Sequence, residues 1–193
     1  MGNLIVHQFV SVDGFAADDD NQFTVFQGQS GSTDELDNET LARLESVDAI
    51  LLGANTYRMF AAFWPTPESD AEILAPRINE LPKIVFSRSL EEAPWGEYDP
   101  AMVVSDDAVE AIRRLKTDLP GDLVVWGSLT LTDSLFATDL VDVVRLVIVP
   151  TVVGSGRTAF PREFAGSRLR HARTATFDSG LVVIEYQNEH NAG

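Results

Sequence analysis

Short runs of β-branched and apolar residues recur along this chain, and most hand over to a segment with helical periodicity. That alternation restricts the fold more than any other feature. The runs are residues 3–12 (NLIVHQFVSV), 48–53 (DAILLG), 83–87 (KIVFS), 101–105 (AMVVS), 123–126 (LVVW) and 143–150 (VVRLVIVP). Helices are predicted over 34–46, from Thr56, over 70–80, after Ser105 and over 129–138. In the best of them Ser105 is placed to cap, and Asp106 and Asp107 occupy the first turn. Val109, Ile112 and Leu115 form its apolar face, and Arg113, Arg114 and Lys116 close the last turn, where the helix dipole favours cations. Residues 15–33 read as a loop. Apolar positions alternate on either side of Asp178-Ser179-Gly180, which signals a hairpin. The sum predicts an α/β fold in one domain over 1–193: three layers, α/β/α, with a mostly parallel central sheet and a C-terminal antiparallel hairpin.

Composition removes several function classes. The chain has 193 residues, enough to bury a core, and 14 basic against 30 acidic residues give a net charge of −16. Such a surface repels nucleic-acid backbones, so no nucleic-acid partner is expected. Without cysteine there is no disulfide, Cys-zinc site, iron–sulfur cluster or thiol nucleophile. His7, His171 and His190 are the only histidines, and no two lie at helical ligand spacing, so no metal site is expected. The opening MGNLIVHQFV lacks a basic region before a long apolar core, and no apolar run approaches about 20 residues. A cytoplasmic protein with no membrane partner is the expectation.

In sheets of this kind ligands bind beyond the carboxyl ends of the strands. Four such ends carry small or polar residues: Ser11-Val12-Asp13-Gly14, Gly53-Ala54-Asn55-Thr56-Tyr57, Ser87-Arg88-Ser89 and Trp126-Gly127-Ser128. A helix start offers unpaired N–H groups and a positive dipole end, so a phosphate can sit there without a lysine. Gly53 and Gly127 would admit a ligand close to the backbone, Thr56 and Ser128 add hydroxyls, and Arg88 could pair with a phosphate. Turn geometry alone also explains Gly and Ser at such positions. Neither GxxxxGK[ST] nor a GxGxxG after the first strand occurs.

The order and wording of SVDGF, LLGANTYRMF, KIVFSRSL and VVWGSLTLTDSLFATDLVDVVRLVIVPTVVGSGRTAF resemble the dihydrofolate-reductase-like superfamily. Within it they resemble the riboflavin-biosynthesis reductase family (the RibD C-terminal domain) and its stand-alone relatives, over about residues 3–186. The resemblance implies NADPH bound at the strand ends. By carry-over, Gly53, Thr56 and Tyr57 line the dinucleotide, Ser87 and Arg88 face the adenosine and its 2′-phosphate, and Gly127, Ser128 and Leu129 hold the pyrophosphate. The segment PTVVGSGRTAF is expected to shape the sheet edge and subunit contacts, with no cofactor role. The family often carries arginine directly after the first glycine, where this chain has Ala54, and Arg58 is the alternative cation. Folate reductases carry a carboxylate in their first helix; Asp34, Glu35 and Asp37 lie in that region, and nothing local selects among them.

For the chemistry, Asp13 is the candidate catalytic and substrate-touching residue, unless Asp13-Gly14 is simply a turn. Trp64 either roofs the substrate or belongs to the core or a dimer contact. His7, inside a strand, is read as a hydrogen-bonded structural histidine. The leading reading is an NADPH-dependent reductase of a small heterocyclic or conjugated C=N/C=O substrate, acting as a homodimer. The alternatives are dihydrofolate reduction and a nucleotide-binding module without chemistry, toward which Ala54 leans.

Overall fold

Alternate side chains of each inner strand serve two different helix layers, and this period of two is what stacks the molecule. A computed structural model describes residues 2–20, 22–26, 33–163 and 166–189. Its main sheet has eight strands in the order β5-β4-β3-β6-β1-β7-β10-β9. These are β1 (Leu4–Ser11), β3 (Val47–Gly53), β4 (Lys83–Phe86), β5 (Met102–Val104), β6 (Asp122–Trp126), β7 (Val143–Val149), β9 (Arg168–Thr176) and β10 (Val182–Glu189). The six from β5 to β7 run parallel, and β10 and β9 add the antiparallel hairpin. Helices α1 (Asp34–Leu44), α2 (Ala54–Ala61) and α3 (Ala75–Glu80) cover one face; α4 (Ala108–Asp118) and α5 (Leu129–Phe136) cover the other. Ile5, Ile50, Leu52 and Val124 pack with Tyr57, Phe60 and Ile78, while Leu4, Val6, Leu51 and Val125 pack with Ile112, Leu131 and Leu135. The predicted three-layer α/β fold is therefore the observed one.

Several local expectations need correction. The helix predicted over 70–80 is reduced to Ala75–Glu80, preceded by a 3₁₀ turn at Pro67–Ser69. Pro76 lies in the first turn of α3, and a proline ring deeper in a helix would collide with the carbonyl four residues back. Helix α2 starts at Ala54 rather than Thr56. Asp107, not Ser105, caps α4, its Oδ1 accepting from the amides of Val109 and Glu110 at 2.9 and 3.2 Å. Lys116 is buried and bonds the carbonyl of Leu140 and the carboxylate of Asp142, so its role is to tie α4 to the start of β7. The predicted 15–33 loop contains a short strand, β2 (Phe15–Ala17), paired with β8 (Arg157–Thr158). Residues 21 and 27–32 of that loop, and His190, lie outside the described residues.

Under α1 the core is ionic. Arg145 on β7, fully buried, bonds Glu39 and Thr40 of α1 and Glu185 of β10. Arg43 adds a 3.0 Å bond to Glu185, and Arg173 pairs with Glu39. His7 stands opposite Arg145 in the β1–β7 register and stacks on Trp126 with centroids 4.7 Å apart. Of the hydrogen-bonded histidine expected from sequence, Nε2 has no partner among the described residues, and the ring is held by its stacking on Trp126. Burial first, then the charges of Arg145 and Arg43, hold the imidazole well below its ordinary pKa. Among the described residues no helix is long and apolar enough to cross a membrane.

Candidate functional site

Strands β1 and β6 run side by side only as far as His7 and Trp126. Beyond that pair β1 continues beside β7 to Ser11, while β6 turns into α5. The turn uses two consecutive left-handed residues, Gly127 at φ 63° and Ser128 at φ 58°. Glycine adopts this region freely, but for serine it is strained and must be held by its surroundings. The holding is visible. Ser128 Oγ accepts from the Gly53 amide at 2.7 Å and donates to Thr56 Oγ1 at 2.9 Å, while the Ser128 amide donates to Thr56 Oγ1 at 3.1 Å. The loop after β3 and the loop after β6 are thus clasped into one structure.

That clasp brings two helix starts together. Neither α2 nor α5 has a side-chain cap, and neither has an acidic residue in its first turn. The contrast is with α4, capped by Asp107, and with α1, whose first turn holds Asp34, Glu35 and Asp37. Two unneutralised positive dipole ends beside one space favour negative charge there.

The space is an open cleft of about 1160 Å³ across the carboxyl ends of the strands. Of the residues singled out from sequence, Gly53, Thr56, Ser87, Arg88, Gly127, Ser128, Leu129 and Trp64 line it together. Arg88 is its one cation among the described residues and has no carboxylate partner there. Ser87 Oγ accepts from the amides of Ser89 and Leu90, which shapes the loop that presents Arg88. Asp106 and Asp107 also line the cleft, although Asp107 is engaged as the α4 cap.

Three candidates are placed elsewhere. Tyr57 is buried, its hydroxyl donating to the Pro94 carbonyl at 2.7 Å, and is not among the lining residues. Arg58 donates to Asn55 Oδ1 and does not line the cleft. Asp13 also lies outside the lining, its carboxylate accepting from the amides of Val153 and Gly154 at 3.1 and 2.8 Å. The Ser11 hydroxyl first, then those amides, hold its pKa below the usual carboxylate range. An anion so stabilised is a poor proton donor at neutral pH. Within the glycine segment 150–160, Val153 and Gly154 therefore brace the β1–β2 turn, and Arg157 and Thr158 pair with β2. Gly156, at φ 138°, packs so tightly that an added Cβ would meet the Ala17 carbonyl at 2.2 Å.

The structure adds residues that sequence reading did not select. Phe9 meets Phe23 and Phe26 edge-on and those two are tilted to each other, with centroids 5.1 to 5.9 Å apart, and all three line the cleft on the α1 side. Asp37 is the first-helix carboxylate that reaches this wall; Asp34 and Glu35 are exposed and are not in the lining. Burial pushes the Asp37 carboxyl above its ordinary value and the neighbouring Asp34 adds to this, while the Thr33 hydroxyl, donating at 2.6 Å, opposes both. Gln8, buried on β1, lines the cleft as well. Its only sequence signal was a polar residue interrupting an apolar run.

Residues 3–183 match the RibD C-terminal domain family. The uncharacterized protein YyaP of Bacillus subtilis (strain 168) is 27% identical over 190 residues, which is 95% of this chain and 93% of that protein. Among solved structures, a Shewanella sp. PV-4 protein provisionally named for riboflavin biosynthesis superposes with a TM-score of 0.77 at 21% identity, over 97% of this chain and 99% of that one. Dihydrofolate reductase from Enterococcus faecalis, complexed with NADP(H), gives 0.63 at 15% identity, over 97% of both chains. The Thermotoga maritima diaminohydroxyphosphoribosylaminopyrimidine deaminase/5-amino-6-(5-phosphoribosylamino)uracil reductase gives 0.65 at 18% identity, over 97% of this chain and 56% of that one. At these identities the structural likenesses establish the fold.

Proposed function

Because the chain belongs to the RibD C-terminal domain family, we propose that it is an NADPH-dependent reductase of a small heterocyclic or conjugated C=N/C=O substrate. The observation that carries the reading is the Ser128–Thr56 clasp, which turns two uncapped helix starts toward one cleft. Gly53, Thr56, Gly127, Ser128 and Leu129 would hold the pyrophosphate, and Ser87 and Arg88 the adenosine end. When bound, NADPH supplies the hydride.

The chain's own part is to bind, orient and exclude water. Phe9, Phe23, Phe26 and Trp64 offer aromatic faces and edges for a planar acceptor. A reduced C=N or C=O group needs a proton as well as a hydride, and Asp37, which reaches the cleft wall and whose pKa is raised by burial, would donate or relay it. Asp13 gives up this role to Asp37. The same carboxylate favours a second reading, dihydrofolate reduction, since an acid on the first helix facing the pocket is what that reaction requires.

A homodimer is part of the proposal: β9 is a nine-residue edge strand whose outer side is unpaired among the described residues. Light scattering that finds a monomer at micromolar concentration would remove that part.

The test is a fluorescence titration of wild type and Arg88→Ala with NADPH and NADH. NADPH affinity should fall about tenfold or more in the variant, and NADH affinity by less than about twofold, because one charge-assisted contact to the 2′-phosphate is lost. Equal losses would take Arg88 off the 2′-phosphate, and no binding of either nucleotide to wild type would sink the reductase reading.

A further inference from the structure

Among the described residues that line the cleft, Gln8 is the one whose buried side-chain atom lacks a partner. It is 3% exposed, and its Oε1 receives no hydrogen bond from the described residues. The residue lies one step beyond the last β1–β6 pair, where the two strands separate. Strand alternation places it on the side of Leu4 and Val6, the α4–α5 side, opposite Phe9. The surroundings there are apolar: Val10 and Ala16 pack with Leu129 and Leu146, and Leu146 is the register partner of Gln8 on β7. An acceptor enclosed in such surroundings has a strong demand for a donor.

The order of the strands says which part of a dinucleotide arrives at that place. Arg88 follows β4, Gly53 follows β3, Gly127 follows β6, and Gln8 lies on β1, in that sequence across the sheet. From β4 to β1 there are three interstrand gaps, about 14 Å at roughly 4.8 Å each. With the adenosine end at Arg88 and the pyrophosphate at the two glycine loops, the remaining half of the cofactor extends to β1.

Resting on the cofactor reading above, we propose that the Gln8 side chain binds the carboxamide of the nicotinamide ring. A carboxamide carries one N–H₂ donor and one carbonyl acceptor, so it can answer both ends of the Gln8 amide. Such a two-point contact fixes the rotation of the ring about its ribose bond. It thereby selects the ring face turned toward Phe9 and the substrate wall. Gln8 is a cofactor-orienting residue in this assignment, and Asp37 acts on the opposite side of the sheet.

The experiment is calorimetric titration of wild type and Gln8→Met with three probes: NADP⁺, its 3-acetylpyridine analogue, and 2′-phospho-ADP-ribose. The analogue replaces the N–H₂ donor with methyl, and the third probe has no nicotinamide. Wild type should prefer NADP⁺ to the analogue by about tenfold, the effect of leaving one buried acceptor without its donor. In Gln8→Met the two dinucleotides should bind within about twofold of each other, with the affinity for 2′-phospho-ADP-ribose unchanged. The melting temperature of the free variant should equal or exceed that of wild type, since it lacks the unpaired acceptor; a large fall would show that Gln8 is already satisfied within the chain and would overturn the assignment. So would a wild type that binds both dinucleotides equally, a result that needs no variant, or a Gln8→Met protein that keeps the tenfold preference. Failure of wild type to bind 2′-phospho-ADP-ribose and NADP⁺ would instead remove the cofactor reading, and the Gln8 assignment with it.

Discussion

Replacing Ser128 tests whether the clasp between the two glycine loops is what holds the site together. Ser128→Ala removes an acceptor from the Gly53 amide and a donor to Thr56 Oγ1, bonds of 2.7 and 2.9 Å. At about 1 kcal/mol for each bond, the cost should be about 2 kcal/mol. For a chain of this length that lowers the melting temperature by about 4–8 °C. Thr56→Val, nearly isosteric, removes the acceptor for both the hydroxyl and the amide of Ser128 and should cost about 1–2 kcal/mol. Both changes delete the same hydroxyl–hydroxyl bond, so the double variant should be about 1 kcal/mol less destabilised than the sum. Ser128→Gly adds an independent sign. Glycine also lacks the hydroxyl, but it relieves the left-handed strain at φ 58°, so it should be more stable than Ser128→Ala by about 1 kcal/mol. Urea unfolding with an unchanged denaturant slope reads all four differences. Additivity of Ser128→Ala and Thr56→Val, or alanine proving better than glycine at 128, would refute the clasp as drawn.

Three further outcomes follow from the same structure. Asp37→Asn should lower turnover by about 10²–10⁴-fold while leaving the NADPH dissociation constant nearly unchanged; unchanged turnover in a stopped-flow assay would remove Asp37 as the acid. His7 stays neutral in the folded chain, whereas the unfolded chain takes up a proton near the ordinary value of 6.5. Unfolding therefore binds a proton below that pH, and stability present above 6.5 is lost as the pH falls, by up to about 1.4 kcal/mol per pH unit. His7→Phe should flatten the curve between about pH 6.5 and 5, and denaturation curves of parallel slope in both proteins would contradict the buried neutral imidazole. Arg145→Met should cost about 3–5 kcal/mol because Glu39 and Glu185 lose their shared cation, and adding Glu39→Gln and Glu185→Gln should recover part of it. A loss below about 1 kcal/mol by urea unfolding would mean the carboxylates find other compensation.

The sequence by itself determined the layer architecture and the glycine-bearing strand ends that line the cleft. Strand period, helix period and turn residues are written within windows of about ten residues, so the alternation of runs and helices could be read directly. Gly53 and Gly127 could likewise be placed at strand ends, since a glycine at such a junction is a local signal. Tertiary structure decided which neighbours those residues meet. The choice of Asp37 over Asp34 and Glu35 depends on the rotation of α1 against the sheet, which is set by Leu36 and Leu44 packing on strands far away in the chain. Asp13 looked catalytic from its place at the end of β1, until residues 153 and 154 came back across 140 positions to occupy its carboxylate. Tyr57 matched a motif, but its helix turns it inward to Pro94. Gln8 and Arg145 were not singled out along the chain, and only the pairing of β1, β7 and β10 shows that one lacks a partner among the described residues at the cleft while the other is enclosed by carboxylates. Local backbone preference is short-ranged and legible along the chain; the direction in which a side chain finds its partner comes from contacts that only the folded sheet brings together.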